Sequence, residues 1–105
     1  MFTRHVIMQL KPNSASEFTS TVEKDVLPML RKQKGFRDEI TFISVDDTEA
    51  IANSFWETKE DAEAYDRAGY PQVLKALSNV VEGTPRVGAA VVSNSTLHKI
   101  AARVA

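Results

Sequence analysis

Alternating apolar and polar residues predict four β-strands in this chain. The predicted strands cover residues 2–10, 36–45, 51–56 and 86–93. In the first, an extended backbone places an apolar set on one face and a mixed set on the other: Phe2, Val6, Met8 and Leu10 against His5, Ile7 and Gln9. Residues 46–49 are turn formers, so the second and third strands should form a hairpin. Residues 82–85 should form a loop before the last strand.

Apolar residues at three- and four-residue spacing predict a first helix between the first two strands. Ser14-x-x-Glu17 has the spacing of a capping box and should start this helix, and Gly35 suits a left-handed cap at its end. Pro28 lies inside the pattern and removes a helical hydrogen bond, so the helix should kink or restart near Leu27. The apolar stripe consists of Phe18, Val22, Val26, Met29 and Leu30.

A second helical region is predicted after the third strand, with the transition at Trp56-Glu57-Thr58. Thr58 is placed to cap this helix, and acidic residues follow in the first turn, where the helix dipole favours negative charge. The helix should run to about Arg67, and Pro71 can occupy the first position of a second helical segment.

The predicted order is βαββαβ, which indicates an α+β, ferredoxin-like domain with a four-stranded antiparallel sheet and helices on one face. Both faces of the strands carry apolar residues, for example Phe42 beside Ile43 and Phe55 beside Trp56. Two amphipathic helices can cover only one face, and a second copy of the chain is the simplest cover for the other. We therefore expect a homodimer with its sheets face to face. Residues 1–105 should form one domain, with a tail from about residue 94.

Composition argues against several classes of function. The chain has no cysteine, which excludes disulfides and thiolate chemistry. Its 13 Lys and Arg and 14 Asp and Glu are interspersed, which gives no electrostatic reason to bind nucleic acid or an anionic membrane. No apolar stretch suits a membrane helix or a signal peptide, so we expect a cytoplasmic protein. The histidines lack metal-ligand spacing and the glycines form no phosphate loop, so we expect no metal and no cofactor.

Aromatic residues near the strand-to-helix transition are the first candidates for chemistry. Trp56, the only tryptophan, could stack a flat substrate as a pocket wall, or could be a core aromatic. Tyr65 should point at the sheet, and Tyr70 falls at the helix break. Each phenol could orient a substrate or protonate an oxyanion, or could simply pack with its hydroxyl in water.

Three polar strand residues are further candidates. His5 lies on the face assigned to the dimer interface, where it could bind substrate or be a satisfied interfacial group. Asn53 could donate a hydrogen bond to a substrate carbonyl, although strand alternation points it away from Trp56. Arg86 could bind an anion or could be a solvated strand end.

Two segments resemble the antibiotic biosynthesis monooxygenase-like proteins of the dimeric α/β barrel fold. They are Leu27-Pro28-Met29-Leu30-Arg31-x-x-x-Gly35-Phe36 and Phe55-Trp56-Glu57-Thr58-x-Glu60-Asp61-Ala62, and with the βαββαβ order the resemblance covers nearly the whole chain. It implies a dimer joined through its sheets and a cavity in each protomer between sheet and helices. Trp56 matches a Trp that lines this cavity in several members, and Asn53 is the candidate for an Asn that the oxygenase branch carries on the same strand. The haem-degrading branch has a His where this chain has Asp66, so the resemblance implies no haem.

Two functions are compatible with this resemblance. The first is a cofactor-independent monooxygenase acting on a small hydrophobic aromatic or quinone-like molecule. Its catalytic candidates are Trp56, Tyr65 and Asn53, and its substrate-binding candidates are Tyr70, Phe18 and His5. The alternative is a non-catalytic or ligand-binding homodimer, and isomerase chemistry on the same scaffold is a third option. A roomy cavity beside Trp56 with several unpaired polar groups would favour the enzyme.

Overall fold

The computed structural model describes residues 1–97, which form an open four-stranded antiparallel sheet with helices packed on one face. The strands are β1 (Phe2–Leu10), β2 (Phe36–Ile43), β3 (Glu49–Trp56) and β4 (Val81–Val91). Their order across the sheet is β2-β3-β1-β4, with β2 and β3 joined as a hairpin. The predicted α+β, ferredoxin-like βαββαβ arrangement is therefore confirmed.

The first helical region consists of three consecutive pieces: α1 (Ala15–Thr21), a π-helical segment (Val22–Val26) and α2 (Leu27–Arg31). α2 begins at Leu27 with Pro28 in its first turn, as the sequence predicts. Ser14 precedes α1, but its side chain makes no capping hydrogen bond, so the predicted capping box does not form. Gly35 has a positive φ of 79°, yet it lies four residues beyond the end of α2 and leads into β2 rather than capping the helix.

The π-helical segment matches the spacing of the buried residues on this helix. Phe18, Val22, Val26 and Leu30 are all buried and recur at every fourth position. In an α-helix of 3.6 residues per turn, such a row drifts around the axis, whereas the wider π-turn reduces the drift. The segment also ends just before Pro28, which has no N–H to continue an α-helical ladder. One face of the whole region therefore stays on the sheet.

The second helical region consists of α3 (Lys59–Ala68) and α4 (Tyr70–Ala76). The Thr58 hydroxyl accepts a hydrogen bond from the Asp61 N–H at 3.1 Å, which confirms the predicted cap. Gly69 separates the two helices, and its Cα lies so close to the Tyr65 ring that an added Cβ would come within 2.7 Å of a ring carbon. The break between α3 and α4 therefore brings Tyr65 and Tyr70 to the same region of the sheet.

The prediction of a loop at residues 82–85 was wrong, because these residues belong to β4. β4 pairs with β1 from Val81 opposite Leu10 to Val91 opposite Phe2, and the register shifts once between Ile7 and Gln9. Gly83 has a positive φ of 67° in this irregular part. Pro85 is tolerated because β4 is an edge strand and has a side that needs no ladder hydrogen bond.

The core lies between the helices and the inner face of the sheet, which is the face that carries Val6, Met8, Ala50 and Trp56. The opposite, outer face carries Ile7, Ile40, Phe42, Ile51 and Phe55. These side chains are partly or largely exposed, and Phe42 retains 55% of its accessible surface. Both faces are apolar, as the sequence pattern predicts. Residues 92–97 follow β4 without regular secondary structure, and the remainder of the predicted tail lies outside the described residues.

No helix within residues 1–97 combines the length and the apolar character needed to cross a membrane.

We expect Phe18→Ala to lower the free energy of unfolding by about 3–5 kcal/mol, because Phe18 has no exposed surface and its ring fills the space between α1 and the sheet. Thr19→Ala is the matched control, since Thr19 neighbours Phe18 on the exposed side of the same helix. Urea denaturation of both variants checks this. A Phe18→Ala variant as stable as Thr19→Ala would contradict the position of α1 on the sheet.

Candidate functional site

A small cavity of about 40 Å³ lies between the inner face of the sheet and the helices. Aliphatic and aromatic side chains make up most of its wall: Val6, Met8, Phe18, Val22, Val26, Leu30, Ala52, Val73, Leu74 and Leu77. Six residues with polar side chains also line it: Arg4, Glu39, Thr41, Ser54, Tyr65 and Tyr70. The volume is enough for water molecules but far below that of a pocket that encloses an organic ligand.

Arg4 places a positive charge against this apolar cavity. It lies on the inner face of β1, between Phe2 and Val6, and only 5% of its surface is exposed. One guanidinium nitrogen, Nη2, donates a hydrogen bond to Oδ1 of Asp66 on α3 at 2.6 Å. The Asp66 side chain is half exposed, so the ion pair has one buried member, Arg4, and one member in contact with solvent. A buried guanidinium needs such a partner, because an unpaired charge in the interior is strongly destabilising.

The guanidinium of Arg4 also lies against two tyrosine rings. Its Cζ is 4.1 Å from the ring centroid of Tyr70 and 5.3 Å from that of Tyr65. At these distances the negative face of an aromatic ring attracts a cation. The break at Gly69 is what allows one residue from α3 and one from α4 to contact the same charge.

The hydroxyl of Tyr70 is buried and donates to no acceptor among the described residues. Burial raises the pKa of Tyr70, and the nearby positive charge of Arg4 opposes that rise. Burial also raises the pKa of Tyr65 to about 12, against the lowering effect of Arg4 and with smaller increases from Tyr70, Glu39 and Asp66. Both phenols are therefore protonated at neutral pH, and they can donate a hydrogen bond but cannot act as bases.

Glu39 is the carboxylate of the cavity wall. It lies on β2, where the Thr41 hydroxyl donates a hydrogen bond to its Oε2. Burial raises the pKa of Glu39 above its ordinary value of 4.5, and the hydrogen bond from Thr41 partly offsets this effect. Arg4 and Glu39 thus bring a guanidinium and a carboxyl group to one cavity without pairing with each other, since Arg4 pairs with Asp66.

Trp56 does not line the cavity and is a core aromatic, which is the second of the two interpretations that the sequence allows. The indole has no exposed surface, and its Nε1 donates a hydrogen bond to Ser54 Oγ at 2.9 Å. Tyr65 stacks on it with ring centroids 5.0 Å apart, and Phe36 contacts its edge. Tyr65 therefore forms the cavity wall in this region, and Trp56 packs against the Tyr65 ring on the side away from the cavity.

The other sequence candidates are divided between the two faces of the sheet. Tyr65, Tyr70 and Phe18 all line the cavity. Asn53 lies on the outer face, as alternation predicts, and its side-chain amide is 3.5 Å from the Ile40 carbonyl oxygen. His5 lies opposite Asn53 on the same face, and its ring packs over Gly88, where an added Cβ would be 2.2 Å from Nε2. Asn53 and His5 therefore cannot act in the cavity together with Tyr65.

Sequence reasoning missed Arg4, Glu39 and Asp66. Arg4 could have been found, because it has the same parity on β1 as Phe2 and Val6 and so must face the core. Glu39 could not be found this way. The register between β2 and β3 shifts between Phe36 and Asp38, so that both Phe36 and Glu39 face inward although one is even-numbered and the other odd-numbered.

Within residues 1–97, no three His, Asp or Glu side chains come close enough together to hold a metal ion.

Comparisons with known proteins show similarity at the level of structure. No family model matches the sequence. No curated protein matches it either. A monooxygenase from the ActVA-Orf6 gene of Streptomyces coelicolor, solved with nanaomycin D, has a TM-score of 0.77 at 19% identity, over 91% of this chain and 90% of that one. The cofactor-independent oxygenase SnoaB from Streptomyces nogalater, as an asparagine-to-alanine mutant, has a TM-score of 0.72 at 18% identity, over 90% and 95%.

A third similar structure carries no assigned activity. The NE2512 protein of unknown function from Nitrosomonas europaea has a TM-score of 0.74 at 11% identity, over 91% of this chain and 92% of that one. At these identities the similarity establishes the fold alone. The chain has the ferredoxin-like fold of the antibiotic biosynthesis monooxygenase-like proteins.

Proposed function

We propose that this protein is a monooxygenase-like enzyme that acts, without a cofactor, on a small hydrophobic aromatic or quinone-like molecule bound in the inner cavity. The observation that carries this proposal is the buried Arg4 guanidinium, which lies against an apolar cavity and over the ring of Tyr70. A fixed positive charge in a site of low dielectric stabilises a negative charge that develops on a substrate. The similar structures of a monooxygenase and a cofactor-independent oxygenase support the proposal, because those enzymes have the same fold.

The lining of the cavity suits a flat, hydrophobic substrate that can form an oxyanion. The aliphatic walls would remove water from such a molecule, and desolvation strengthens its interaction with Arg4. Tyr65 and Tyr70 keep their protons, because burial raises the pKa of both, and Tyr70 has an unpartnered hydroxyl to donate. Phe18 provides an apolar wall opposite the sheet.

The reaction balances with molecular oxygen as the second substrate. A methylene group that is conjugated with a ketone through an aromatic ring loses a proton, and its electron pair forms an enolate whose oxygen carries the negative charge. The carbanion carbon then forms a bond to dioxygen and gives a peroxide, which takes up a proton. Loss of the second methylene proton and cleavage of the O–O bond yield a carbonyl and water. The carbon loses four electrons and dioxygen gains four.

A ligand-binding or non-catalytic role is the second candidate, and the volume of the cavity favours it. About 40 Å³ holds water but not an aromatic ring, so the cavity must expand before any such molecule binds. A protein whose cavity is filled by its own side chains would keep the fold and lack the activity.

We also propose that two copies of the chain associate through the outer faces of their sheets. Ile7, Phe42 and Ile51 lie on this face beyond the reach of the helices, and an exposed apolar surface of this kind is typical of an interface. Residues 92–97 border part of the face near Ile40 and Phe55 and leave Phe42 open. His5 and Asn53 would then be interface residues, which is the role their shared position supports.

We expect wild-type protein to consume oxygen in the presence of anthrone, and Arg4→Met to reduce kcat/KM by about 100-fold, because the charge that stabilises the enolate is lost. Oxygen-electrode measurements check this, with circular dichroism to show that the variant is folded. Arg67→Met is the matched control, since Arg67 is exposed on α3 and lies outside the cavity.

Two results would separate the candidate functions. Anthrone binding without oxygen uptake would favour the ligand-binding role. Equal activity of Arg4→Met and wild type would remove the observation on which the proposed enzyme depends.

We expect Phe42→Asp to weaken self-association by about 100-fold, because it would bury a charge within the proposed interface. Analytical ultracentrifugation over a range of concentrations checks this. Val45→Asp is the matched control, because Val45 is fully exposed in the β2–β3 turn. A wild-type protein that sediments as a monomer at micromolar concentration would contradict the proposed dimer.

A further inference from the structure

Among residues 1–97, one side chain with a carboxyl group lines the cavity. Glu39 is the carboxylate among the residues that line it, and both lining tyrosines hold their protons because burial raises their pKa values. Asp66 lies on the far side of Arg4, half exposed, with one oxygen bonded to the guanidinium. His5 lies on the outer face of the sheet. Among residues 1–97, these positions leave Glu39 as the candidate base.

The geometry of Glu39 suits proton transfer. The Thr41 hydroxyl donates to Oε2, which fixes the carboxylate against the inner face of β2 and leaves Oε1 free to accept. Glu39 has no ion pair among the described residues, so no cation competes for that oxygen. The charged or titratable side chains that share the cavity are Arg4 from β1, Tyr65 from α3 and Tyr70 from α4, and the first helical region contributes apolar residues.

We propose that Glu39 is the proton acceptor of this cavity, and that Arg4 holds the oxyanion formed when Glu39 removes a proton from an acidic C–H group of the substrate. This inference depends on the proposed function, because it assigns the base of that reaction. In the step, the C–H bond breaks, its electron pair stays on the substrate as an enolate, and the proton passes to the Glu39 carboxylate. No oxidant takes part in this step.

The position of Glu39 makes it a better base than an exposed carboxylate. Burial raises the pKa of Glu39, and a base accepts a proton more readily as its pKa approaches the working pH. The sign of the pH dependence follows. Glu39 must be ionised to act, so the rate should fall as the pH is lowered through its raised pKa and should level off above it.

Proton removal can be tested separately from oxygenation. Under nitrogen and in deuterium oxide, wild-type protein should exchange the methylene protons of anthrone, which nuclear magnetic resonance follows directly. We expect Glu39→Gln to slow this exchange by about 100-fold, because the isosteric amide cannot accept the proton. Its Kd for anthrone should stay within about threefold of wild type, and its rate should lose the decrease at low pH. Glu39→Asp should retain part of the exchange.

Glu49→Gln is the matched control. Glu49 is also a strand glutamate that accepts a hydrogen bond from a neutral side chain, Gln9 Nε2 at 2.8 Å, but it lies at the end of β3 on the outer face. The Glu49→Gln variant should exchange anthrone protons at the wild-type rate. If Glu39 had only a structural role, Glu39→Gln would lower the melting temperature and leave the pH dependence of the exchange rate unchanged.

The outcomes distinguish this inference from the function on which it rests. If wild type exchanges protons and consumes oxygen but Glu39→Gln does so equally well, Glu39 is not the base and the proposed function stands. If wild type neither exchanges protons nor consumes oxygen with anthrone, both proposals are overturned. Loss of exchange in Glu39→Gln with an unchanged Kd supports the assignment.

Discussion

The charge of Arg4 constrains the arrangement of the helices on the inner face. A guanidinium with 5% exposure on the core side of a strand must be compensated, since an unpaired buried charge costs several kcal/mol. Three groups from the second helical region contribute: the carboxylate of Asp66 and the rings of Tyr65 and Tyr70. All three can contact the Arg4 guanidinium because the helix is interrupted at Gly69, between α3 and α4. The interruption of the helix at Gly69 therefore helps to assemble the site.

The sequence predicted the elements of this fold better than their connections to the site. Strand alternation located β1, β2 and β3, and Pro28 and Thr58 gave the correct starts of α2 and α3. Ser14 failed as a cap because its backbone has a φ of −108° and a ψ near 0°, so that its hydroxyl meets the Pro12 carbonyl oxygen and not the first-turn N–H groups. Capping motifs describe spacing, whereas the bond also depends on the dihedral angles of the capping residue.

The candidate site was harder to predict because it depends on residues that are distant in sequence. Parity on β1 would have placed Arg4 on the inner face, but its partner Asp66 lies 62 positions away, and no local pattern joins the two. The register shift in β2 reverses the faces after Phe36, so Glu39 appears on the wrong side when alternation is extended from that residue. Trp56 shows the converse problem. The sequence placed it correctly at the end of β3 beside a helix start, but it could not show that the Tyr65 ring stacks on Trp56 and separates it from the cavity.

The distribution of polar groups around the cavity determines which wall a ligand can displace most easily. Arg4, Glu39, Tyr65 and Tyr70 all belong to the sheet or to the second helical region, and Arg4 is tied to Asp66 there. The first helical region contributes Phe18, Val22, Val26 and Leu30, all of them apolar. Moving that region outward would cost dispersion contacts but would break neither of the two ion pairs found among residues 1–97. Val22 and Val26 also lie in the π-helical segment, where the backbone departs from α-helical winding just before Pro28. Displacing the first helical region would therefore enlarge the cavity while leaving the Arg4–Asp66 ion pair and the Thr41–Glu39 hydrogen bond intact.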